Sequence, residues 1–211
     1  MPAVTASNFS FLWNSVVIPR LGVAPYTFGG AFSPTDPSQG SDCSGAVGTA
    51  LSALVYGQAD MDWDRGNHNN FSTYTFAGAS PGDTGPFGNA PVTAGLICIA
   101  SPTDAPSNYA MIIAVNQQDQ AHEAHMICRV GGIDIEMGGN EDTPQGVELD
   151  YHTSRTNPDS NTVLDTETFN QWFYLPGPLV PDPVAHTAPP LPSPADYTSP
   201  PLPGLVAAQF L

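Results

Sequence analysis

Apolar residues at positions 46, 47, 50, 51, 54 and 55 recur at alternating short spacings that line one side of a helix, which predicts a helix over 44–56. Gly57 supplies its stop, and Ser41 or Asp42 its side-chain cap. Further along, the pattern changes to short apolar runs of strand length. These are GLICIA (95–100), YAMIIAVN (109–116), HMICRV (125–130), IDIEMG (133–138) and the aromatic FNQWFYLPGP (169–178). The third and fourth runs flank Gly131-Gly132, a two-residue hairpin signal. One helix followed by several antiparallel strands predicts an α+β domain, with the helix packed on the sheet. Between them, residues 58–92 are rich in Gly, Asn, Asp, Thr and Pro. That stretch is too long for a simple connection and reads as a decorated surface or binding loop.

The periodic pattern stops near residue 176. From there onward lie 11 of the 23 prolines, a composition that favours extended conformations and buries little surface. The expected organisation is a domain over 1–178 and a Pro-rich linker or tail over 179–211. The tail fits a connection to a further domain, or a segment that packs back or meets a partner.

Charge narrows the choice of partners. The 211 residues include 20 acids, four arginines and no lysine, for a net charge of −16. Such a surface offers no cationic track for phosphates, which disfavours nucleic acid and anionic membranes. No apolar run reaches the length of a membrane span, so no membrane insertion is expected. The first residues, MPAVTASNFSFLWNSVV, lack a basic n-region and a cleavage site, so no secretory signal is expected. A soluble monomer fits these properties.

The cysteines are three and widely spaced: Cys43, Cys98 and Cys128. They form neither a metal pattern nor a disulfide framework and read as reduced thiols. Cys43 stands where the predicted helix begins. There, unpaired N–H groups and the helix dipole stabilise a thiolate, although a small packed thiol is equally compatible with D-C-S-G alone. A cysteine nucleophile needs a base, and the base an orienting group. Of the five histidines, His186 lies in the Pro-rich tail, His68 in the polar loop, and His122 and His152 lie outside the predicted strands, whereas His125 opens a strand of the predicted hairpin. A two-residue turn at 131–132 sets Glu136 opposite Ile127, on the same sheet face as His125. His125 and Glu136 thereby become diagonal neighbours, while Cys128 points to the opposite face. The HEAH run at 122–125 resembles the zinc motif H-E-x-x-H. Its histidines are three apart rather than four, its segment is strand-like, and no third ligand stands out, so neither metal nor other cofactor is expected.

Together these residues resemble the NlpC family of papain-like cell-wall cysteine peptidases. They are most similar to the N-terminal peptidase domains of mycobacteriophage endolysins and related tail proteins. The resemblance rests on PYTFGG (25–30), on FGGAFSPTDPSQGSDCSG, on HMICRVGGIDIEMGG and on WFYLPGP, and runs over about residues 20–178. It implies a papain-like core with Cys43 as nucleophile, His125 as base and Glu136 as the orienting acid. It also implies that Tyr26 lines the site and helps the oxyanion hole, and that Asp42 and Ser44 shape substrate binding. Phe28 stands where Trp is usual, and Ala124 where Gly or Ser often precedes the histidine.

The function implied is a phage-encoded peptidoglycan endopeptidase. Its substrate would be the stem peptide of mycobacterial or actinobacterial wall, cut in the D-glutamyl–diaminopimelate region. Made in the host cytoplasm, it would reach the wall after holin-type release or on the virion tail, with further lysin domains able to follow the Pro-rich tail. Two alternatives share these residues: a non-catalytic virion or wall-binding module of the same fold, and an N-acetylmuramoyl-L-alanine amidase using the same triad.

Overall fold

The computed structural model describes residues 4–59, 71–117, 124–139, 144–150, 163, 166 and 168–177. The expectations for the Pro-rich segment 179–211, and for His68, His122, His152 and His186, lie outside the described residues.

The chain enters through helix α1 (Ala6–Phe11), capped by the Thr5 hydroxyl, which accepts from the Asn8 N–H at 3.1 Å. It continues as a π-helical turn over Leu12–Val17 and a 3-10 turn over Ile18–Arg20. The cysteine-bearing helix is therefore not the first in the chain. Leu12, Trp13, Val16 and Val17 are buried at helical spacing, so this entry segment packs one face into the core.

Helix α2 (Cys43–Tyr56) starts and stops as its sequence predicts. Asp42 caps it, and Gly57 ends it in the left-handed conformation at φ 67°. Every residue from Cys43 to Val55 is buried. Its Ala, Gly, Ser and Thr positions let neighbours approach on all sides, which a single apolar stripe would not achieve. The Asn8 amide donates to the Leu54 carbonyl at 2.8 Å and ties α1 to the far end of α2.

Six strands form one sheet in the order β1-β6-β2-β3-β4-β5: β1 Ile97–Ile99, β2 Met111–Asn116, β3 His125–Val130, β4 Ile133–Gly139, β5 Pro144–Asp150 and β6 Gln171–Leu175. Every adjacent pair is antiparallel, and the fold is α+β. Four strands fall within the predicted runs and β4 extends one residue past its own, whereas β5 was not anticipated: PQGVELD carries too weak an alternation and owes its place to pairing with β4. Gly131 and Gly132 both have positive φ, 62° and 84°, as a two-residue hairpin requires. The register follows from that turn, with Cys128 opposite Ile135 and Val130 opposite Ile133.

Strand alternation divides the two faces. Met126, Cys128, Val130, Ile135 and Met137 join the large core that contains α2. Ile127, Ile112, Ala114 and Trp172 face the other way and gather Val163 and Phe169 into a second cluster. A buried ion pair fastens that second layer: the Arg129 Nε donates to Asp134 at 2.5 Å, and Asp134 also accepts from the Val163 N–H at 3.1 Å. The Trp172 indole donates to the Val163 carbonyl at 2.8 Å.

The loop expected over 58–92 needs correction where it is described. Residues 60–70 lie outside the description, but Phe71, Phe76 and Phe87 are buried, and Phe76 stacks on Phe173 with centroids 4.2 Å apart. Short 3-10 helices over Thr73–Phe76 and Pro91–Thr93 set part of this stretch into the core wall, while residues 77–86 stay largely exposed. Its Gly and Pro content hid three aromatic anchors, which carry no helix or strand period. Among the described residues, no helix is long and apolar enough to cross a membrane.

Candidate active site

Cys43 occupies the first position of α2 and is 7% exposed. The first N–H groups of a helix have no intrahelical partner, so its thiol sits beside a concentration of positive partial charge. The Asp42 carboxylate caps this end: Oδ1 accepts from the Gly45 N–H at 2.7 Å and from the Ser44 hydroxyl at 2.9 Å. Its other oxygen, Oδ2, accepts from the Gly29 N–H at 2.9 Å.

The segment 25–41 runs past this helix end in close backbone contact. The Thr27 N–H donates to the Ser41 carbonyl at 2.9 Å, and the Asp42 N–H to the Gly30 carbonyl at 3.3 Å. Tyr26 and Ser41 form an isolated bridge, which sets the half-buried Tyr26 against the core at the helix entrance. Such proximity explains two glycines of the motif. A Cβ on Gly45 would collide with the Gly30 carbonyl oxygen, and one on Gly40 with the Thr27 side chain and the Pro25 carbonyl. Buried Arg20 secures the start of the segment, its guanidinium donating to the carbonyls of Ser15, Val16 and Ser33 and lying 4.9 Å from the Phe32 ring centroid.

His125 and Glu136 meet as diagonal neighbours across the hairpin, with His125 Nε2 and Glu136 Oε1 2.7 Å apart. Their side chains are 20% and 15% exposed. The Cys43 thiol is the other group that acts on the His125 ring, through hydrogen bonding and charge. This contact was not legible from alternation, because β3 turns its even-numbered residues toward α2 and His125 is odd. His125 is the first residue of its strand, and at the sheet margin its ring is within reach of the helix end. Burial by itself would lower the imidazole pKa. Hydrogen bonds to Cys43 and Glu136, with the charges on both, outweigh that and raise it from 6.5 to about 10.

Phe169, buried in the second cluster, stacks on the His125 ring at 5.9 Å with an interplanar angle of 26°. Sequence reasoning placed Phe169 in the last strand and assigned it no role at the site. The remaining cysteines stand apart: burial pushes the thiol pKa up at both Cys98 and Cys128, aided by Asp83 and Asp134 respectively. All three are free. Among the described residues no cluster of His, Cys, Asp and Glu could hold a metal ion.

A cysteine at a helix N-terminus, an imidazole bonded to it and a carboxylate on its Nε2 are arranged as a nucleophile, base and orienting acid would be. The family model for Endolysin A matches residues 1–182. The chain belongs to the Endolysin A family. Endolysins are phage peptidoglycan hydrolases, so this one is a cell-wall hydrolase that acts on the wall of the host. No curated protein and no solved structure matches the chain.

Proposed function

We propose that this endolysin is a cysteine endopeptidase of papain-like, NlpC type that cleaves the stem peptide of mycobacterial or actinobacterial peptidoglycan. The observation that carries the reading is His125 held between Cys43 and Glu136, with an imidazole that keeps its proton to about pH 10. At neutral pH such a histidine has a proton to give to a leaving group.

In this mechanism the Cys43 thiolate attacks the scissile carbonyl carbon and a C–S bond forms. The oxyanion is received by the Cys43 N–H, which has no partner within its helix, and by Tyr26. His125 gives its proton to the leaving amine as the C–N bond breaks, and water then hydrolyses the thioester with His125 as base. Glu136 holds the ring in the orientation and charge state that both steps need. The bond assigned by resemblance lies in the D-glutamyl–diaminopimelate region.

The test is digestion of purified diaminopimelate-type peptidoglycan by wild type and by Cys43→Ala, with mass spectrometry of the released fragments. The expected result is cleavage within the stem by wild type and none by the variant, whose circular dichroism is unchanged. Wild-type-like hydrolysis by Cys43→Ala would sink the cysteine mechanism, and release of whole stem peptides from the sugar would mark an amidase instead.

A further inference from the structure

Resting on the peptidase reading, we propose that Phe169 is a positioning residue, which fixes the plane of the His125 ring from the sheet face turned away from α2. The outer torsion of a histidine side chain has broad minima, so one hydrogen bond leaves the plane of the ring poorly defined. A flat neighbour laid against the ring defines it. Phe169 is that neighbour, with centroids 5.9 Å apart and an interplanar angle of 26°, within the range of stacked aromatic pairs. The negative face of a phenyl ring also suits an imidazole that carries its proton. Phe169 is 1% exposed, so it acts through the imidazole and not on substrate.

The stacking partner is itself held firmly. Along the outer face of the hairpin, β3 presents His125, Ile127 and Arg129, and β4 presents Asp134 and Glu136. That face therefore carries two polar pairs, Arg129–Asp134 toward the turn and His125–Glu136 at the open end. Asp134 accepts from the Val163 N–H at 3.1 Å, and the Val163 carbonyl accepts from the Trp172 indole at 2.8 Å. Next to Phe169, the Asn170 N–H donates to the Val115 carbonyl at 3.2 Å and ties this residue's neighbour to β2. Phe169 and Val163 complete one apolar cluster with Ile112, Ala114, Ile127 and Trp172. A ring fixed by sheet bonds on one side and by packing on the other can pass that order to the imidazole it touches.

Packing alone is the ordinary role of a buried phenylalanine. Two substitutions separate positioning from packing. Phe169→Leu keeps an apolar side chain in the cluster and removes the flat face. Ile112→Val trims the same cluster opposite Arg129, four residues along β3 from His125. Urea denaturation of both variants allows rates to be expressed per folded molecule. The substrates are soluble muropeptides prepared from diaminopimelate-type peptidoglycan by muramidase.

The expected result for Phe169→Leu is a fall in kcat of about tenfold with KM little changed, as suits a slightly misplaced base. Ile112→Val should match the wild type per folded molecule. In a Glu136→Gln background, Phe169→Leu should have little further effect, because both substitutions loosen the same ring. An unchanged kcat in Phe169→Leu would overturn the proposal, as would an equal fall in Ile112→Val, a rise in KM alone, or full additivity with Glu136→Gln.

Proton NMR of the intact protein reads the ring without any cleavage. In the wild type the His125 ring N–H directed at Glu136 should give a downfield signal protected from exchange with water, and Phe169→Leu should broaden or abolish it. A signal that survives Phe169→Leu unchanged, or none in the wild type, refutes the positioning role. If the wild-type protein leaves stem peptides uncut, the peptidase reading fails and the positioning of His125 is judged on this signal.

Discussion

Replacing Glu136 with Gln removes one charge and leaves the shape of the site unchanged. In the wild type the carboxylate lies 2.7 Å from His125 Nε2 in a half-buried setting, where water screens the pair only in part. The imidazole is held at about pKa 10 against a burial effect that would lower it. Loss of an opposite charge at this range lowers a histidine by about one to three pH units. In the proposed mechanism the imidazolium protonates the leaving amine, so the alkaline limb of hydrolysis moves down by that amount. The sign is fixed by the raised pKa: proton-dependent activity persists from neutrality up to the imidazole's own value and is lost above it. Gln also leaves the ring free to adopt the wrong tautomer, and kcat/KM should fall by about 10²–10⁴-fold. The assay is muropeptide cleavage across the pH range, paired with iodoacetamide labelling of Cys43. An alkaline limb that stays in place in Glu136→Gln would refute the coupling between the carboxylate and the imidazole.

Two packing predictions accompany it. Phe76→Ala should cost about 3–5 kcal/mol in urea denaturation, because a buried ring stacked on Phe173 leaves a cavity in an aromatic cluster. A cost near that of a surface loop would restore 71–93 to a mere decoration. Gly45→Ala should cost about 1–3 kcal/mol from its collision with the Gly30 carbonyl, and the backbone shift should depress cell-wall hydrolysis beyond the loss of stability. Unaltered activity and denaturation midpoint would show that segment 25–41 and the helix do not meet as closely as described.

The parts of the site legible in the sequence are those fixed by short-range geometry. Gly131-Gly132 admits a two-residue turn with both φ positive, and that turn alone sets the hairpin register that brings Glu136 beside His125. Asp42 and Gly57 bracket α2 because a side-chain acceptor and a left-handed residue satisfy its ends. The entry segment went unread: the polar start of α1 concealed it, together with the helical spacing of Leu12, Trp13, Val16 and Val17 that follows. Strand β5 and the Phe76 cluster lacked a periodic signal, since their places come from pairing with β4 and from aromatic packing.

Whether Cys43 is a packed thiol or one poised against a base was beyond the sequence, because segments far apart in the chain have to converge for the answer. The even positions of β3 dock on the helix layer, His125 lies at the strand's open end, and the layer fastened by Arg129 and Asp134 brings Phe169 against its ring. The local chain determined where the thiol, the imidazole and the carboxylate stand along their own elements. Only long-range packing, which satisfies the core before any single contact, decided that they meet at one margin of the sheet.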